Sequence, residues 1–408
     1  MDLRALSRLV PAPEKFLAGP PGHPVTWTVP DDSIPAIFGL AEIDRVMASG
    51  LLSNRRVRMF DKNGQIPASQ YVWGENAPQP GLQGHLRPHA VNRLVRSGAT
   101  LAMNDLEQVC EPLGDLCRRL VLETGQSVTS AAFLTPPASF GLAAHHDTES
   151  VLLIQTHGSK VWQVREPARP EPLAHEKHVK LSAEDADRVA RRAPDVEVTL
   201  RAGDALWIPR GWLHGAATTE ESSLHVTIGF TPYTRYWLAN QIVRSLDDRQ
   251  VDFHVFRADL PWGVGEDEAR LEAEVAETVE HLLAALRQLD HPAVSARVRQ
   301  VMRSRYFTPK RPQPISTAVE SGAGLDTRVV MVREAVSGTD RLADGRLRLN
   351  LRDTAVTVPA AAADWAETRL AMDSTEPWSA EDLIPGLTET AAVGLVTGML
   401  REGVVRAV

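Results

Sequence analysis

Short apolar segments dominate the chain between Ser127 and Pro232. They are about five to seven residues long and cover residues 150–155, 160–164, 196–200, 205–209 and 224–230. Groups that contain glycine, such as His157-Gly158-Ser159 and Ala202-Gly203-Asp204, separate these segments as turns would. Short strands at such close spacing are typical of a β-sandwich or a barrel. The pattern therefore predicts a mainly β core.

The apolar spacing on both sides of this core is helical. Upstream, Asn104-Asp105 can cap a helix that runs to about Glu123, which Pro112 would kink or split. Downstream, the pattern predicts helices over residues 236–248, 266–289 and 294–305. The middle one of these three carries a stripe of apolar residues, namely Leu271, Val275, Val279, Leu282, Leu283 and Leu286.

An apolar stripe on a long helix has to be buried against something. We expect the helical module to form a homodimer through its stripe. The alternative is that the stripe packs against the β core of the same chain.

The last part of the chain mixes strands and helices in a way that is similar to a winged-helix unit. The sequence predicts strands over 329–332, 347–351 and 404–408, with helices over 361–372, 380–384 and 388–402. The four predicted domains are an N-terminal entry region at 1–97, the β core at 98–232, the helical module at 233–312 and a winged-helix-like α+β domain at 325–408.

Composition and charge narrow the function classes. The 408 residues are 43% hydrophobic and 24% charged, which is ordinary for a globular protein. No apolar stretch approaches the roughly 18 residues of a membrane helix, and we expect no secretory signal in the first 15 residues. The two cysteines, Cys110 and Cys117, make no disulfide framework, so we expect a cytoplasmic protein.

The acidic balance of the chain bears on its partners. The net charge is −8, which argues weakly against a dedicated nucleic-acid binder and allows a basic peptide partner. Residues 358–408 contain three arginines against eight acidic residues, whereas a DNA-binding helix needs basic residues to neutralise phosphate. We therefore expect no DNA binding by the winged-helix-like domain.

One segment carries the chemistry of a metal site. In His145-His146-Asp147, the alternation of side chains along a strand places His145 and Asp147 on one side and His146 on the other. His214 follows 67 residues after Asp147, behind a Gly-Asp turn and an apolar strand. Two imidazoles and one carboxylate on one face, with open positions opposite, suit non-haem Fe(II) oxygenases. Taken singly, each of these histidines could equally be a core or surface residue.

Several segments together carry a resemblance to a known family. They are Phe133-Leu134-Thr135-Pro136-Pro137, His145-x-Asp147, Gln155-x-x-Gly158-x-Lys160-x-Trp162, Gly203-Asp204 through Ile208-Pro209-Arg210-Gly211-Trp212-x-His214, and His225-Val226-Thr227-Ile228. With these segments the chain resembles the JmjC-type cupin oxygenases, in particular the bacterial ribosomal-oxygenase branch (cupin 4) and its nucleolar relatives. The detailed match covers about residues 98–232.

The resemblance implies a double-stranded β-helix that holds Fe(II) and uses 2-oxoglutarate and O₂. The family has a basic residue thirteen positions after the metal-binding Asp, here Lys160, which binds the distal carboxylate of 2-oxoglutarate. Some members also have an Asn and a Tyr in the preceding strand, where this chain has Ala131 and Phe133. Thr135 or Thr227 is expected to supply the missing co-substrate contact.

The resemblance also implies the reaction and the substrate class. Arg210 and Trp212 flank the last metal ligand and are candidates for the border of the substrate groove. The implied activity is hydroxylation of a polypeptide side chain, most favoured being a His or Arg of a ribosomal protein. Hydroxylation of a peptide natural-product precursor, N-demethylation and a non-catalytic metal-binding cupin are the alternatives.

Overall fold

A computed structural model describes the chain over residues 4–139, 141–142, 144–176, 192–246, 255–304, 322–332, 335–336, 338–351, 354–371 and 376–408. It consists of two compact units. Residues 1–232 together with 306–408 form the first unit, and residues 233–305 form the second. The four domain boundaries drawn from the sequence remain predictions. No helix among the described residues has the length and apolar character needed to cross a membrane.

An antiparallel sheet of nine strands forms the centre of the first unit. The strands are β1 (Val25–Thr28), β2 (Val57–Asp61), β3 (Gly64–Gln65), β4 (Thr100–Asn104), β5 (Ser127–Thr135), β6 (Ser150–Arg165), β7 (Val196–Arg201), β8 (Asp204–Ile208) and β9 (Leu213–Thr231). They are paired in the order β1-β8-β6-β9-β5-β4-β2-β3, and β7 pairs with β6. The prediction of a mainly β core is confirmed.

Two strands are much longer than the sequence pattern suggested. β6 has 16 residues and β9 has 19, and they pair with each other along most of their length. The predicted turn at residues 157–159 is wrong, because the ladder instead shifts register there as a β-bulge. Gly158 lies in this bulge with φ +61°, and a Cβ at this position would come within 1.8 Å of the Ser222 carbonyl oxygen. Only glycine fits, and it bends a continuous strand rather than ending it.

The apolar run in β6 is buried on both faces of the sheet. Leu152 and Ile154 belong to a large core cluster that includes the N-terminal helices. Val151 and Leu153 alternate with them and belong to a smaller cluster with Leu206, Ile208, Trp162 and Val164. Side chains alternate with period two, so a strand that is covered on both sides is continuously apolar.

The described residues of the N-terminal part of the first unit also form α1 (Arg4–Leu9), α2 (Pro13–Ala18), α3 (Leu40–Ala48), α4 (Pro88–Arg96) and α5 (Glu111–Thr124). The predicted helix from residue 104 is corrected. Asp105 has a left-handed φ of 54° and breaks the helical path, so α5 begins only at Glu111. Pro112 lies in the first turn, where its missing N–H costs nothing, and it neither kinks nor splits the helix.

The C-terminal part has α+β structure, as predicted. Its elements are β10 (Val329–Met331), β11 (Gly338–Arg341), β12 (Leu347–Asn350), β13 (Ala355–Val358), α9 (Ala360–Ala371), α10 (Glu389–Arg401) and β14 (Val405–Ala407). β10 pairs with β14, and β11, β12 and β13 form a small antiparallel sheet. These elements share a hydrophobic cluster of their own, with Trp378 fully buried in it. The sequence pattern missed β11 and β13.

The second unit is helical and consists of α6 (Arg235–Val243), α7 (Glu268–Arg287) and α8 (His291–Ser304). Ala285 and Leu289 pack with Val294 and Val298 at its centre, and Leu282 and Leu286 lie against this cluster. The predicted single stripe on α7 is therefore divided in two. Its other members are exposed, namely Leu271, Val275, Val279 and Leu283.

Candidate metal centre

His145, Asp147 and His214 converge on one point of the sheet. Each offers one ligand atom, and these three atoms lie within 4.8 Å of one another. His214 Nε2 is 3.5 Å from one carboxylate oxygen of Asp147, and His145 Nε2 is 3.9 Å from the other. The two imidazole rings are 4.4 Å apart between centroids. Two nitrogens and one carboxylate at these distances match the donor set of a non-haem Fe(II) site.

Backbone hydrogen bonds hold the three residues in place. His145 and His214 form an isolated antiparallel bridge, in which each N–H donates to the other's carbonyl at 3.0 and 2.8 Å. The Gly211 N–H donates to the Asp147 carbonyl at 2.9 Å. The start of β9 is thereby fixed to the segment that carries the other two ligands. This bridge explains how His145 and His214, 69 residues apart in sequence, form one site.

The hydrogen bonds of His214 determine which of its nitrogens can bind a metal. Its Nδ1 lies 3.0 Å from the Trp212 carbonyl, which can only accept, so Nδ1 carries the proton. Nε2 then carries the lone pair that can bind a metal, and it faces Asp147. Burial is the main cause that lowers the pKa of His214 to about 4, and the nearby His145 acts in the same direction. The imidazole is therefore neutral at pH 7, as a metal ligand must be.

A pocket of about 430 Å³, including its solvent-open mouth, extends from the three candidate ligands. Lys160 lies in this pocket and is only 2% exposed. Its ammonium group donates to Thr135 Oγ1 at 3.0 Å and lies 5.5 Å from the centre of the Trp162 ring. No carboxylate in the described part of the chain pairs with it. Burial lowers its pKa to about 7.

The residues that the sequence analysis associated with the co-substrate lie near Lys160. Thr135 contacts Lys160 directly and also accepts from Thr100 Oγ1 at 3.1 Å. Thr227 lines the pocket, and its buried hydroxyl has no partner among the described residues. Ala131 pairs with Thr227 across β5 and β9.

Phe133 lies in the same pocket but contributes no polar group. It faces His225 across β5 and β9 and stacks on that imidazole with centroids 5.0 Å apart. Trp162 meets His225 edge-on at 5.1 Å. Besides the three candidate ligands, the polar side chains that line this pocket are those of Lys160, Thr227 and His225.

Gly141 is a site residue that the sequence analysis did not identify. A Cβ at this position would come within 2.8 Å of the Ala216 carbonyl oxygen and 3.2 Å of the Lys160 ammonium nitrogen. Its N–H donates to the same carbonyl at 3.0 Å. Glycine thus lets the chain pass close over the lysine. The sequence signal that could have identified Gly141 is its position four residues before the candidate ligand His145.

Arg210 and Trp212 do not line the pocket of the three candidate ligands. They line a separate depression together with Glu166, Glu171 and several prolines. The Arg210 guanidinium donates to the Glu171 and Pro172 carbonyls at 3.0 and 2.8 Å. It therefore fixes a loop.

A different groove adjoins the pocket. It shares Leu142 and His145 with the pocket, and its far wall is the hairpin of β2 and β3. The sequence analysis assigned no functional role to this hairpin.

Comparisons with known proteins agree with this geometry. Residues 108–238 match the model of the JmjC domain family. Ribosomal oxygenase 2 of Bos taurus is 36% identical over 132 residues, which is 32% of this chain and 27% of that protein. The bifunctional lysine-specific demethylase and histidyl-hydroxylase NO66 of Drosophila persimilis is 30% identical over 150 residues, which is 36% of this chain and 20% of that protein.

A structural comparison and the lengths of the relatives complete these findings. A crystal structure of E. coli ycfD aligns over 97% of this chain and 98% of that one, at 14% identity and a TM-score of 0.49. The chain spans about a quarter of the length of the bovine relative and a fifth of the Drosophila one.

The antiparallel sheet has the cupin fold that the sequence predicted, and residues 108–238 match the JmjC domain. His145, Asp147 and His214 form a candidate metal centre on this sheet. Over part of its length the chain is similar to ribosomal oxygenases.

Proposed function

We propose that this protein is an Fe(II)- and 2-oxoglutarate-dependent dioxygenase that hydroxylates a side chain of a polypeptide. His145, Asp147 and His214 would hold Fe(II), and Lys160 would bind the distal carboxylate of 2-oxoglutarate. Fe(II) would supply the redox chemistry that couples oxidation of 2-oxoglutarate by O₂, giving succinate and CO₂, to insertion of one oxygen atom into a C–H bond of the substrate.

The observation that carries this proposal is the buried ammonium group of Lys160. An uncompensated charge is costly inside a protein, and in the described structure the hydrogen-bond partner of Lys160 is a neutral hydroxyl. A carboxylate that enters the pocket would complete an ion pair with it. Lys160 and the three ligands line one pocket, so a molecule with an acidic group at each end can contact both.

The remaining pocket residues support the same assignment. The unpartnered Thr227 hydroxyl can donate to a carboxylate oxygen beside Lys160. Val151 and Leu153 cover the pocket with apolar side chains. Water is thereby limited around the co-substrate, which strengthens the lysine–carboxylate interaction.

The first test is turnover of 2-oxoglutarate by the purified full-length chain. We expect succinate to form when Fe(II), ascorbate and O₂ are supplied. The reaction should stop when Fe(II) is removed by a chelator and should resume when Fe(II) is restored. A chain that binds Fe(II) but forms no succinate with any polypeptide fraction would instead be a non-catalytic metal-binding cupin.

The identity of the substrate is also part of this proposal. Relatives of the JmjC segment are named ribosomal oxygenase and histidyl-hydroxylase, which favours a ribosomal protein with a His or Arg as the target. Intact-mass spectra of ribosomal proteins should be compared between cells with and without the gene. The substrate should be lighter by the mass of one oxygen atom in the cells that lack the gene. A cytoplasmic location, which the cysteine content favours, would bring enzyme and substrate together.

The homodimer is also a proposal, and the second unit supports it. Val275 and Val279 are 55% and 46% exposed on α7, on the part of the helix that precedes the cluster at Ala285. A second copy that covers this face would remove its apolar surface from water. Leu282 lies against the internal cluster and is no part of the exposed face.

Glutamate at both Val275 and Val279 is expected to give a folded monomer, because charge on this face blocks association without entering the core. Light scattering gives the mass, and circular dichroism reports folding. The matched control is Ala273→Glu, which adds charge at an exposed position on the side of α7 away from Val275 and Val279 and should leave the dimer intact. A wild-type chain that is monomeric at micromolar concentration would contradict the dimer.

A further inference from the structure

The groove beside the candidate metal centre is large enough for a polypeptide segment. Its volume is about 900 Å³ including open solvent. One wall is formed by Gly141, Leu142 and His145, and the opposite wall by residues 60–65 of the β2–β3 hairpin. Because Leu142 and His145 also line the inner pocket, the groove leads directly to the candidate metal ligands.

Two features of the hairpin suit an extended chain. β3 is the last strand at this end of the sheet order, and among the described residues it pairs with β2 alone, so its other edge has no strand beside it there. Gly64 and Gln65, which form β3, are both exposed and line the groove. An extended segment can form backbone hydrogen bonds with an open edge of this kind.

Asp61 contributes a carboxylate to the lining of the groove. Its carboxylate is oriented by the Asn63 N–H, which donates to Oδ1 at 2.8 Å. No lysine, arginine or histidine of the described residues forms an ion pair with it. An oriented and unpaired carboxylate in a groove favours a cationic side chain. Lys62 also lines the groove, but it is exposed at the tip of the hairpin.

From this arrangement we infer that the groove binds the segment of the substrate next to the oxidised residue, and that Asp61 selects a basic side chain there. The inference rests on the proposed function, since it takes the groove as the route of the substrate to the metal. Asp61 is then a specificity-determining residue outside the metal and co-substrate site.

The variant Asp61→Asn removes the charge and keeps the hairpin, because the asparagine carbonyl can still accept from the Asn63 N–H. The matched control is Asp44→Asn, which removes one negative charge at an exposed position of α3. The probes are two fluorescein-labelled mixtures of otherwise random nonapeptides, one with arginine at the centre and one with citrulline. Citrulline has nearly the same shape as arginine and no charge.

Fluorescence anisotropy with the full-length chain should show that the arginine mixture binds about tenfold more tightly than the citrulline mixture, the size expected for one charge-assisted hydrogen bond. Asp61→Asn should reduce this ratio to below about twofold, whereas Asp44→Asn should keep it. The inference is overturned if the wild-type protein does not distinguish the two mixtures, if Asp61→Asn retains the preference, or if Asp44→Asn loses it equally.

Succinate formation separates this result from the proposed function. A wild-type protein that prefers arginine but forms no succinate would refute the proposed function and keep a basic-peptide groove. A protein that forms succinate and shows no dependence on Asp61 would refute only the inference.

Discussion

Alanine in place of His145, Asp147 or His214 is expected to abolish 2-oxoglutarate turnover and to weaken metal binding by at least about 100-fold. Loss of a residue that merely supports a ligand already costs 10–100-fold in many metal sites, and loss of the ligand itself costs more. Among the described residues, no fourth His, Cys, Asp or Glu belongs to this group of ligand atoms and could replace a lost ligand. Titration with Co(II), followed by its absorption spectrum, measures binding independently of activity.

His146→Ala is the matched control for His145→Ala. It removes an imidazole one position along the chain, from a residue that does not line the pocket. Metal binding should remain close to that of the wild-type protein. If His146→Ala lost the metal and His145→Ala kept it, the register of the site would be wrong.

Folding has to be separated from ligation in these variants. The His214 side chain is 5% exposed, so its loss leaves a cavity in addition to an empty ligand position. The His145 side chain is 38% exposed, and its replacement should change thermal unfolding little. Weak metal binding by a His145→Ala variant with wild-type unfolding would therefore be the most direct evidence for the site.

The sequence could predict the candidate ligands because their arrangement depends on local geometry. Side chains two apart on an extended segment share a face, which is how the sequence predicted that His145 and Asp147 converge. The structure brings them together, but on the segment before β6, where His145 forms an isolated bridge and no regular strand is present. Prediction of His214 as a ligand required more than local geometry, because His145 is 69 residues away in sequence. The resemblance of its surrounding segment supplied that link, and the backbone bridge between His145 and His214 is its physical basis.

The features that sequence could not predict are those set by long-range pairing. Hydrophobic periodicity does not distinguish a strand that bends from one that ends, so the bulge at Gly158 was interpreted as a turn. Arg210 was placed at the substrate groove because it is near His214 in sequence. Its guanidinium instead donates to two loop carbonyls, a contact that no local pattern contains.

The second large effect concerns Lys160. Lys160→Met is expected to weaken 2-oxoglutarate binding by about 100-fold or more while Fe(II) binding stays near normal. Removing one partner of a buried ion pair costs about 3–5 kcal/mol, and methionine keeps most of the side-chain volume. Apparent affinity from succinate formation and from calorimetry with the metal-loaded protein would both measure the change. Lys15→Met, at an exposed position of α2, is the matched control.

The same substitution should stabilise the protein when 2-oxoglutarate is absent. The buried amine then has only Thr135 as partner, and methionine removes the cost of burying it, about 1–3 kcal/mol. Thr135 keeps its hydrogen bond with Thr100. Without 2-oxoglutarate, the thermal unfolding midpoint of Lys160→Met should therefore be higher than that of the wild-type protein. Added 2-oxoglutarate should stabilise the wild-type protein far more than the variant.

The lowered pKa of Lys160 gives the stability of the free protein and its affinity for 2-oxoglutarate opposite pH dependences. In the free folded protein the amine loses its proton above pH about 7, whereas in the unfolded chain it keeps the proton up to about 10.5. The unfolded state thus binds more protons between these values, and the contribution of Lys160 to stability rises with pH across that window. Binding of 2-oxoglutarate requires the charged form, so its apparent affinity should fall as the pH rises above about 7.

Comparison of the wild-type protein with Lys160→Met isolates both dependences above pH about 7. The Lys160 charge also lowers the pKa of His225, but burial is the larger cause, so His225 is neutral in this range in both proteins. The difference between their unfolding free energies should shrink as pH rises from about 7 towards 10.5, because the wild-type protein gains stability that the variant lacks. An unchanged 2-oxoglutarate affinity in Lys160→Met would remove Lys160 from the co-substrate site. A variant that is less stable than the wild-type protein without 2-oxoglutarate would show that the buried ammonium already has a stabilising partner.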